Sequence, residues 1–372
     1  MSDGGISPWA DDTAATVPMV QLLTPDGERV SDPEYALDFS AGQYRDFYRD
    51  LVLVRRFDRE ATSLQRQGEL GIWASTLGQE AAQVGAARAM RADDFAFPTY
   101  RDHGVAWCRG VDPLDVIAHF RGVSPCSYPP EAHGLAPYSI VLGSQVLHAV
   151  GWAMGSALAA DTAAAVAFFG DGACSQGDVN EAMVWASVYR APIVFFCQNN
   201  QWGISTPASG QTPIPLYQRA SGFGFPGVRV DGNDVLATYA VTRAALDRAH
   251  AGCGPTLVEA YTYRMGDHTT SDDSTRYRAA SELDRWQRLD PVDRMRALLV
   301  RGQLADSAFF QALDDEADMI AERVRSGCRS MPDPDPLTMF DHVFAEQTPL
   351  LRQQRGTLAE YLADFPVEGG PA

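Results

Sequence analysis

Apolar residues recur along the chain with two different spacings, which predict helices and strands in alternation. Over residues 41–67 the apolar positions keep mostly helical spacing and predict a long first helix, and a second helix is predicted near 78–90. Continuous apolar runs that end in polar residues predict buried strands in 94–101, 163–172, 191–200, 227–234 and 255–264. Helix-length segments at 177–190 and 234–251 lie between the later strands.

Strands that alternate with helices favour a parallel sheet built from βαβ units. Residues 281–330 and 349–365 predict further helices toward the C-terminus. We therefore predict an α/β fold, a parallel sheet with helices on both faces plus N- and C-terminal helical extensions. The predicted division is an irregular leader at 1–40, an α/β domain at 41–345, and a C-terminal helix and tail at 346–372.

Polar residues suited to a phosphate or a metal follow several of the predicted strands. Tyr100 and Arg101 end one strand, Asp171 follows another, Asn200 ends a third, and a fourth runs into the loop that carries His268. In an open parallel sheet, ligands bind outside the carboxyl ends of the strands. Asp171 and Asn200 are 29 residues apart, the span of one βαβ unit, so they can lie side by side.

The chemistry of these residues points to one kind of site. A carboxylate and an amide oxygen are hard ligands that suit Mg²⁺ or Ca²⁺. Glycines on both sides of Asp171 let the backbone approach a ligand, and the N–H groups at the start of the next helix form an anion site. Taken alone, each feature is more often a turn, a loop histidine or a surface ion pair. Four such strand ends together favour a metal–phosphate site.

Composition limits the classes of partner. The chain has 48 acidic and 30 basic residues, all of the latter arginine, and its net charge of −18 disfavours binding to nucleic acid or to an anionic membrane. Six scattered cysteines form no C-x-x-C pair, so neither a zinc site nor a disulfide framework is predicted. Residues 1–20 lack a secretory signal and no apolar run is long enough to span a bilayer. We expect a cytoplasmic protein.

The segment "GDGACSQGDVNEAMVWASVYRAPIVFFCQNN" resembles the motif of thiamine diphosphate enzymes, in which G-D-G is followed about thirty residues later by N-N. From "LQRQGEL" (64–70) to "LRQQ" (351–354), the chain resembles the alpha subunit of the dehydrogenase component of 2-oxo acid dehydrogenase complexes. "RVDGNDV" (229–235) and "TYRMGDHTTSDDSTRYR" (262–278) strengthen the resemblance, and the second is most similar to the branched-chain enzymes.

The resemblance implies roles position by position. Asp171, Asn200 and the backbone carbonyl of Trp202 match Mg²⁺ ligands. The positions that match contacts to thiamine diphosphate are Tyr100, Arg101, Ile140, Leu142, Gly170, Gly172, Ala173, Gln198 and His268. Of these, Ile140 and Leu142 match the stretch that touches the aminopyrimidine. His268 matches the catalytic-loop histidine, which binds the diphosphate and assists acyl transfer to lipoamide.

Other positions matter for what the resemblance leaves open. Ser139, Ser144 and Gln145 match a potassium site present in some relatives. Gln198 stands where branched-chain relatives have a diphosphate-binding arginine, so that contact is expected to be weaker or different. Residues 123–134 do not match the usual loop. Thr269 replaces a regulatory serine of mammalian homologues, so phosphorylation control of that kind is not implied.

The implied reaction is the oxidative decarboxylation of a 2-oxo acid with acyl transfer to the lipoyl group of the transacylase component. No second βαβ block supplies the pyrimidine half of the site, so we predict an α₂β₂ heterotetramer with a beta subunit. A pyruvate or acetoin dehydrogenase alpha subunit is the alternative within the family. A Rossmann-type oxidoreductase is disfavoured because G-D-G lacks the third glycine of that motif. A non-catalytic assembly subunit is disfavoured by Asp171, Asn200 and His268.

Overall fold

A computed structural model of the chain describes residues 17–365. Backbone contacts divide the chain into two compact units, with the division between Arg329 and Ser330. The first unit holds both β-sheets and most of the helices. The sequence-based boundary after residue 345 stays a prediction, and residues 1–16 of the predicted leader lie outside the described part.

The helices of the described residues include all those predicted from the sequence. They are α1 (Ala41–Arg66), α2 (Glu80–Ala89), α3 (His103–Cys108), α4 (Pro113–Arg121), α5 (Pro130–His133), α6 (Ser144–Leu158), α7 (Gly177–Tyr189), α8 (Arg219–Gly222), α9 (Val235–His250), α10 (Ala280–Gln287), α11 (Pro291–Arg301), α12 (Ser307–Ser330) and α13 (Pro349–Asp364). The strands are β1 (Phe95–Phe97), β2 (Ala165–Gly170), β3 (Ile193–Asn199), β4 (Trp202–Gly203), β5 (Thr206–Pro207), β6 (Gly227–Asp231) and β7 (Thr256–Tyr261).

Five of the strands form one parallel sheet in the order β1-β2-β3-β7-β6, which confirms the predicted fold class. Gly170 at the end of β2 pairs with Gln198 on β3, and Asn199 pairs with Tyr261 at the end of β7. The carboxyl ends of three neighbouring strands therefore meet at one edge. The loops that leave this edge carry Asp171, Asn200 and His268.

Both faces of this sheet are buried, as the long apolar runs of β2 and β3 predict. Side chains alternate between the faces along a strand, so Ala165, Ala167 and Phe169 share one face. They pack in one core cluster with residues of α6 and α7. The opposite face is covered by α9, which also packs on α2. This layering fixes the strand ends that carry the polar residues.

Local sequence explains where the main helices begin. Ser40 caps α1 through a capping box with Gln43, and Asp234 caps α9 by accepting hydrogen bonds from the N–H groups of Leu236 and Ala237. Asp234 also accepts from the N–H of Leu22, at 2.7 Å. The described part of the leader is thus tied to the α/β unit, although it has little regular structure.

The sequence pattern did not predict α6, which packs against β1, β2 and α7. Gly151 and Gly155 lower its helix propensity, yet Val146, Val150 and Ala153 keep the helical spacing of a buried stripe. That stripe is the signal that identifies it. Its omission left residues 139–145, which lead into α6, without a structural context.

Up to residue 365, where the description ends, the second unit contains a short 3₁₀ turn and one complete helix, α13. In this unit Arg355 on α13 donates to the carbonyl of Leu337 at 3.1 Å and pairs with Asp341. The observed α13, Pro349–Asp364, confirms the final helix predicted at 349–365. None of the helices between residues 17 and 365 has the length and apolar character that crossing a lipid bilayer requires.

Candidate functional site

A cavity of about 240 Å³ lies at the carboxyl ends of β2 and β3. Most residues that the sequence singled out line it. They are Tyr100, Arg101, Leu142, Gly170, Asp171, Gly172, Ala173, Gln198, Asn200, Trp202 and His268. The structure therefore brings these residues together, although their segments are far apart in the chain. Ile140 does not line the cavity and is 57% exposed.

Asp171 begins a 3₁₀ turn directly after β2, and its carboxylate is buried. Burial raises the pKa of this carboxyl to about 6. Gln211 donates from Nε2 to Asp171 Oδ2 at 3.2 Å. Within residues 17–365 no arginine or histidine forms an ion pair with Asp171. A buried carboxylate without a cation beside it is chemically suited to bind a metal ion.

Two further oxygens lie with Asp171 in the cavity lining. Asn200 follows β3, and its Oδ1 accepts a hydrogen bond from the N–H of Trp202 at 3.2 Å. Its Nδ2 donates to Gln79 Oε1 at 3.0 Å, which fixes which end of the amide carries the oxygen. The carbonyl of Trp202 accepts from Arg264 Nη1 at 3.1 Å. Among the described residues, no cluster of three His, Cys, Asp or Glu side chains competes as a metal site.

Backbone and arginine groups supply positive potential in the same cavity. The first N–H groups of a helical turn have no acceptor within it, and those of Gly172 and Ala173 belong to such a turn. Arg101 is buried, and its Nη1 donates to the carbonyl of Ser75 at 2.7 Å. Its Nη2 donates to the carbonyl of His268 at 2.7 Å. An anion in this cavity would meet a guanidinium that is already held in place.

His268 lies between two arginines. Its Nδ1 is 3.3 Å from Arg101 Nη2 and 3.4 Å from Arg264 Nη1. Because both neighbours are donors, Nδ1 acts as the acceptor and the neutral ring carries its proton on Nε2. Burial, followed by the charges of Arg101 and Arg264, lowers the pKa of His268 to about 4. His268 is therefore a neutral imidazole at neutral pH. The ring of Tyr100 packs edge-on against it.

Gln198 takes part in a buried network that the sequence did not predict. Its Nε2 donates to Asp102 Oδ1 at 2.6 Å, and its Oε1 accepts from Gln83 Nε2 at 3.0 Å. Asp102 also accepts from the N–H of Thr99 at 2.7 Å. Burial raises the pKa of Asp102 to about 6. Both ends of the Gln198 amide thus have protein partners at the position where the resemblance expected a weaker diphosphate contact.

Sequence reasoning missed several residues of the cavity. Asp102, Gln79 and Gln211 line it, and Arg264 holds both Trp202 and His268. Arg264 gave a usable signal, since it ends the same predicted strand that leads to His268. Gln79 lies at the start of the predicted second helix and Gln211 in a segment with no distinctive pattern, and only the tertiary contacts place them in the cavity.

The segment before α6 presents oxygen atoms and exposed apolar side chains. Ser139 Oγ and Ser144 Oγ are 2.8 Å apart, and both donate to the carbonyl of Val141. Gln145 donates to the carbonyl of Phe168, while its buried Oε1 has no hydrogen-bond partner. Val141 is 71% exposed although it is apolar. The residues expected to hold potassium are thus close in space, beside three consecutive exposed apolar residues, Ile140, Val141 and Leu142.

Known proteins are similar in sequence to this chain over most of its length. A 3-methyl-2-oxobutanoate dehydrogenase subunit alpha from Mycobacterium tuberculosis is 45% identical over 368 residues, covering 98% of this chain and 99% of the relative. A pyruvate dehydrogenase E1 component subunit alpha from Staphylococcus epidermidis is 38% identical over 322 residues, 85% of this chain and 84% of the relative. A pyruvate dehydrogenase E1 component subunit alpha from Acholeplasma laidlawii is 36% identical over 321 residues, 85% of this chain and 92% of the relative.

The family profile described as dehydrogenase E1 component matches residues 48–336. The match begins within α1 and includes every strand of the parallel sheet. It therefore covers the cavity and each of its predicted ligands. Together with the full-length similarity to the mycobacterial relative, it shows that this chain belongs to the dehydrogenase E1 component family.

Proposed function

We propose that this chain is the alpha subunit of a thiamine diphosphate-dependent 2-oxo acid dehydrogenase with branched-chain substrates. The observation that carries the proposal is the convergence of Asp171, Asn200 and the Trp202 carbonyl with Arg101 and His268 in one cavity. Branched-chain specificity is supported by 45% identity with the mycobacterial 3-methyl-2-oxobutanoate dehydrogenase subunit. Pyruvate is the second candidate substrate, because pyruvate dehydrogenase subunits are 38% identical. Acetoin is a third candidate.

The residues of the cavity fit the cofactor of this family. Asp171, Asn200 and the Trp202 carbonyl would hold Mg²⁺ and leave the remaining positions to water and diphosphate oxygens. Gly172 and Ala173 would donate their N–H groups to the diphosphate, and Arg101 would pair with it. When bound, thiamine diphosphate supplies the electron sink that lets a 2-oxo acid lose its carboxylate as CO₂.

His268 contributes through its protonation state. As a neutral imidazole with the proton on Nε2, it can donate one hydrogen bond into the cavity without adding charge. Burial keeps it neutral, and Arg101 and Arg264 add to the effect because a further positive charge beside them would be unfavourable. We propose that it donates to the diphosphate and assists acyl transfer to a lipoyl group. It is therefore a catalytic residue of the second half-reaction.

A beta subunit is expected to complete the site. The described residues contain one five-stranded parallel sheet and no second one that would bind the pyrimidine. Leu142 and Ile204 are exposed apolar residues that line the cavity, and Ile140, two positions before Leu142, is also exposed. A partner that covered these side chains would bury them and close the cofactor site, as in an α₂β₂ assembly. The same assembly would present the cavity to a lipoyl domain of the transacylase component, in the cytoplasm.

Potassium would be a structural ion in this proposal. The hydroxyls of Ser139 and Ser144, the Val141 carbonyl and the unpaired Oε1 of Gln145 are oxygen ligands of the kind that a hard cation takes. Binding there would order the segment that carries Ile140 and Leu142 against the cofactor.

The proposal is tested by reconstitution with a beta subunit of the same type of dehydrogenase. The pair is assayed for decarboxylation of 3-methyl-2-oxobutanoate, 4-methyl-2-oxopentanoate and pyruvate and for carbon–carbon cleavage of acetoin, and calorimetry measures thiamine diphosphate binding with Mg²⁺. We expect binding and the highest kcat/KM with the branched-chain acids, and no activity from the chain alone. Absence of cofactor binding would favour an assembly subunit, and decarboxylation by the isolated chain would contradict the shared site.

A further inference from the structure

A second cavity, of about 310 Å³, lies between α1 and the loop at residues 266–270. Asp58, Arg59, Thr62, Ser63 and Arg66 line its α1 wall. Their spacing places them on one face of the helix. The proposed reaction does not use this cavity.

The two cavities share the loop as a common wall. His268 lines the first cavity, while its neighbours Asp267 and Thr269 line the second. Ser75 also joins them, because its side chain lines the second cavity and its carbonyl holds Arg101 at 2.7 Å. A ligand in the second cavity would thus contact the back of the segment that positions His268 and Arg101.

Two arginines and two aspartates line the second cavity, and the arginines, which are exposed, are the charges left to meet an anion. Within residues 17–365 no acceptor or ion-pair partner is found for the guanidinium groups of Arg59 and Arg66. The two carboxylates of the cavity are already engaged. Asp58 accepts from Trp73 Nε1 at 2.9 Å and from Ser75 Oγ at 2.6 Å, and Asp267 accepts from the N–H of Ser274 at 3.1 Å.

Two hydroxyls add neutral donors. Thr269 Oγ1 accepts from the N–H of Ser271 at 3.3 Å, and Thr270 Oγ1 accepts from the N–H of Trp73 at 3.1 Å. A hydroxyl that accepts still has its own hydrogen to donate. Two guanidinium groups and two hydroxyl hydrogens therefore surround the space between α1 and the loop.

We propose that the second cavity binds a small oxyanion, a phosphate ester or a carboxylate, and that the bound anion restrains the loop at 266–270. Arg59 and Arg66 supply the charge-assisted hydrogen bonds, and the threonines of the loop supply the remainder. Because the loop also carries His268, the ligand tunes the first cavity from behind without entering it. The site is regulatory and does not depend on which 2-oxo acid the enzyme decarboxylates.

The test compares anion binding by the full chain and by charge variants. Inorganic phosphate and acetate are titrated separately at constant ionic strength by calorimetry, and hydrogen exchange is followed in peptides that cover 266–278. The variant is R59Q/R66Q. Its matched control is R45Q/R288Q, which removes two exposed arginine charges outside the cavity.

We expect saturable binding by the wild type, with slower exchange at 266–278. Because R59Q/R66Q removes two charge-assisted hydrogen bonds, it should weaken binding by roughly a hundredfold or more. The control should bind as the wild type does. A preference for phosphate over acetate, or the reverse, identifies the class of natural ligand.

Three results would overturn the proposal. They are unsaturable binding, unchanged affinity in R59Q/R66Q, and an equal loss in R45Q/R288Q, which would indicate only the overall field of the protein. Phosphate binding that is retained in R59Q/R66Q is assigned to the first cavity and does not support the proposal. Circular dichroism checks folding, and the single variants R59Q and R66Q, each with an intermediate loss expected, carry the test if the double variant unfolds.

Discussion

Asp171 and Asn200 are held by strands, whereas His268 and Arg101 are held by hydrogen bonds to loop carbonyls. Asp171 and Asn200 directly follow β2 and β3, whose pairing brings Gly170 beside Gln198. His268, by contrast, lies seven positions beyond the end of β7 and depends on Arg101 for its place. The strand-held half is fixed by the hydrogen bonds of the sheet, whereas the position of the loop-held half depends on a few hydrogen bonds made by side chains. The metal–phosphate end and the acyl-transfer end of the site should therefore respond differently to substitution.

The largest effect is expected in the strand-held half. Asp171→Asn keeps the shape but removes the only carboxylate predicted to bind Mg²⁺ there, so cofactor binding should be abolished in calorimetry. Asp178→Asn, an exposed carboxylate on α7, is the control and should bind normally. Retention of Mg²⁺-dependent binding by Asp171→Asn would show that the strand ends do not hold the metal.

The same variant has a pH signature in the free chain. Because burial raises the pKa of Asp171 to about 6, the folded state binds the proton more tightly than the unfolded state. Its contribution to stability is therefore greatest below the unfolded pKa and is lost as the pH rises through 6. In Asp171→Asn that part of the pH dependence of Tm should disappear.

The next effect tests the loop-held half. His268→Ala should lower acyl transfer to a lipoyl domain by about 100-fold, while decarboxylation with an artificial electron acceptor is largely kept. Since its pKa is lowered to about 4, His268 should add no inflection to the pH–rate profile between 5 and 8. His148→Ala, an exposed histidine, is the control. Equal loss of both half-reactions would contradict a specific role of His268 in acyl transfer.

A smaller effect is expected at Gln211, which supports the strand-held half. Gln211 donates to Asp171 and packs on Gly203, where a Cβ would come within 3.0 Å of Gln211 Nε2. Gln211→Ala should weaken Mg²⁺-dependent cofactor binding by about tenfold, because it removes a group that orients a ligand. Gln218→Ala, an exposed glutamine, should have no effect. Unchanged affinity in Gln211→Ala would mean that the strand alone orients Asp171.

The smallest effect on activity is expected at Gln198, whose partners are both protein groups. Gln198→Ala leaves Asp102 and Gln83 short of a partner and should lower the free energy of unfolding by about 1–3 kcal/mol. The pKa of Asp102 should rise further above 6, because the hydrogen bond that lowers it is lost. Denaturant unfolding at several pH values measures both. A change in cofactor affinity larger than the change in stability would instead make Gln198 a direct ligand.

Much of the fold was predictable because its elements carry strong local patterns. The apolar runs of β2, β3 and β7 and the long spacing of α1 identify an α/β fold without further information. The helix α6 was missed because glycines interrupt its pattern. Strand order was not predictable either, since β6 lies at the edge and β7 pairs with β3, an arrangement that only long-range packing selects.

The sequence by itself determined which residue types surround the first cavity. Asp171, Asn200 and Arg101 each stand at or after the end of a predicted strand, and in a parallel α/β sheet ligands bind at the carboxyl ends of the strands. The tertiary structure decided how those residues are charged and oriented. Burial raises the pKa of Asp171, and burial, followed by the charge of Arg101 from a distant segment, lowers the pKa of His268 so that its ring stays neutral. It also decided that Gln198 faces Asp102 and Gln83, and that the back of the His268 loop lines a second cavity. These are properties of groups distant in the chain, whose spacing no local pattern records.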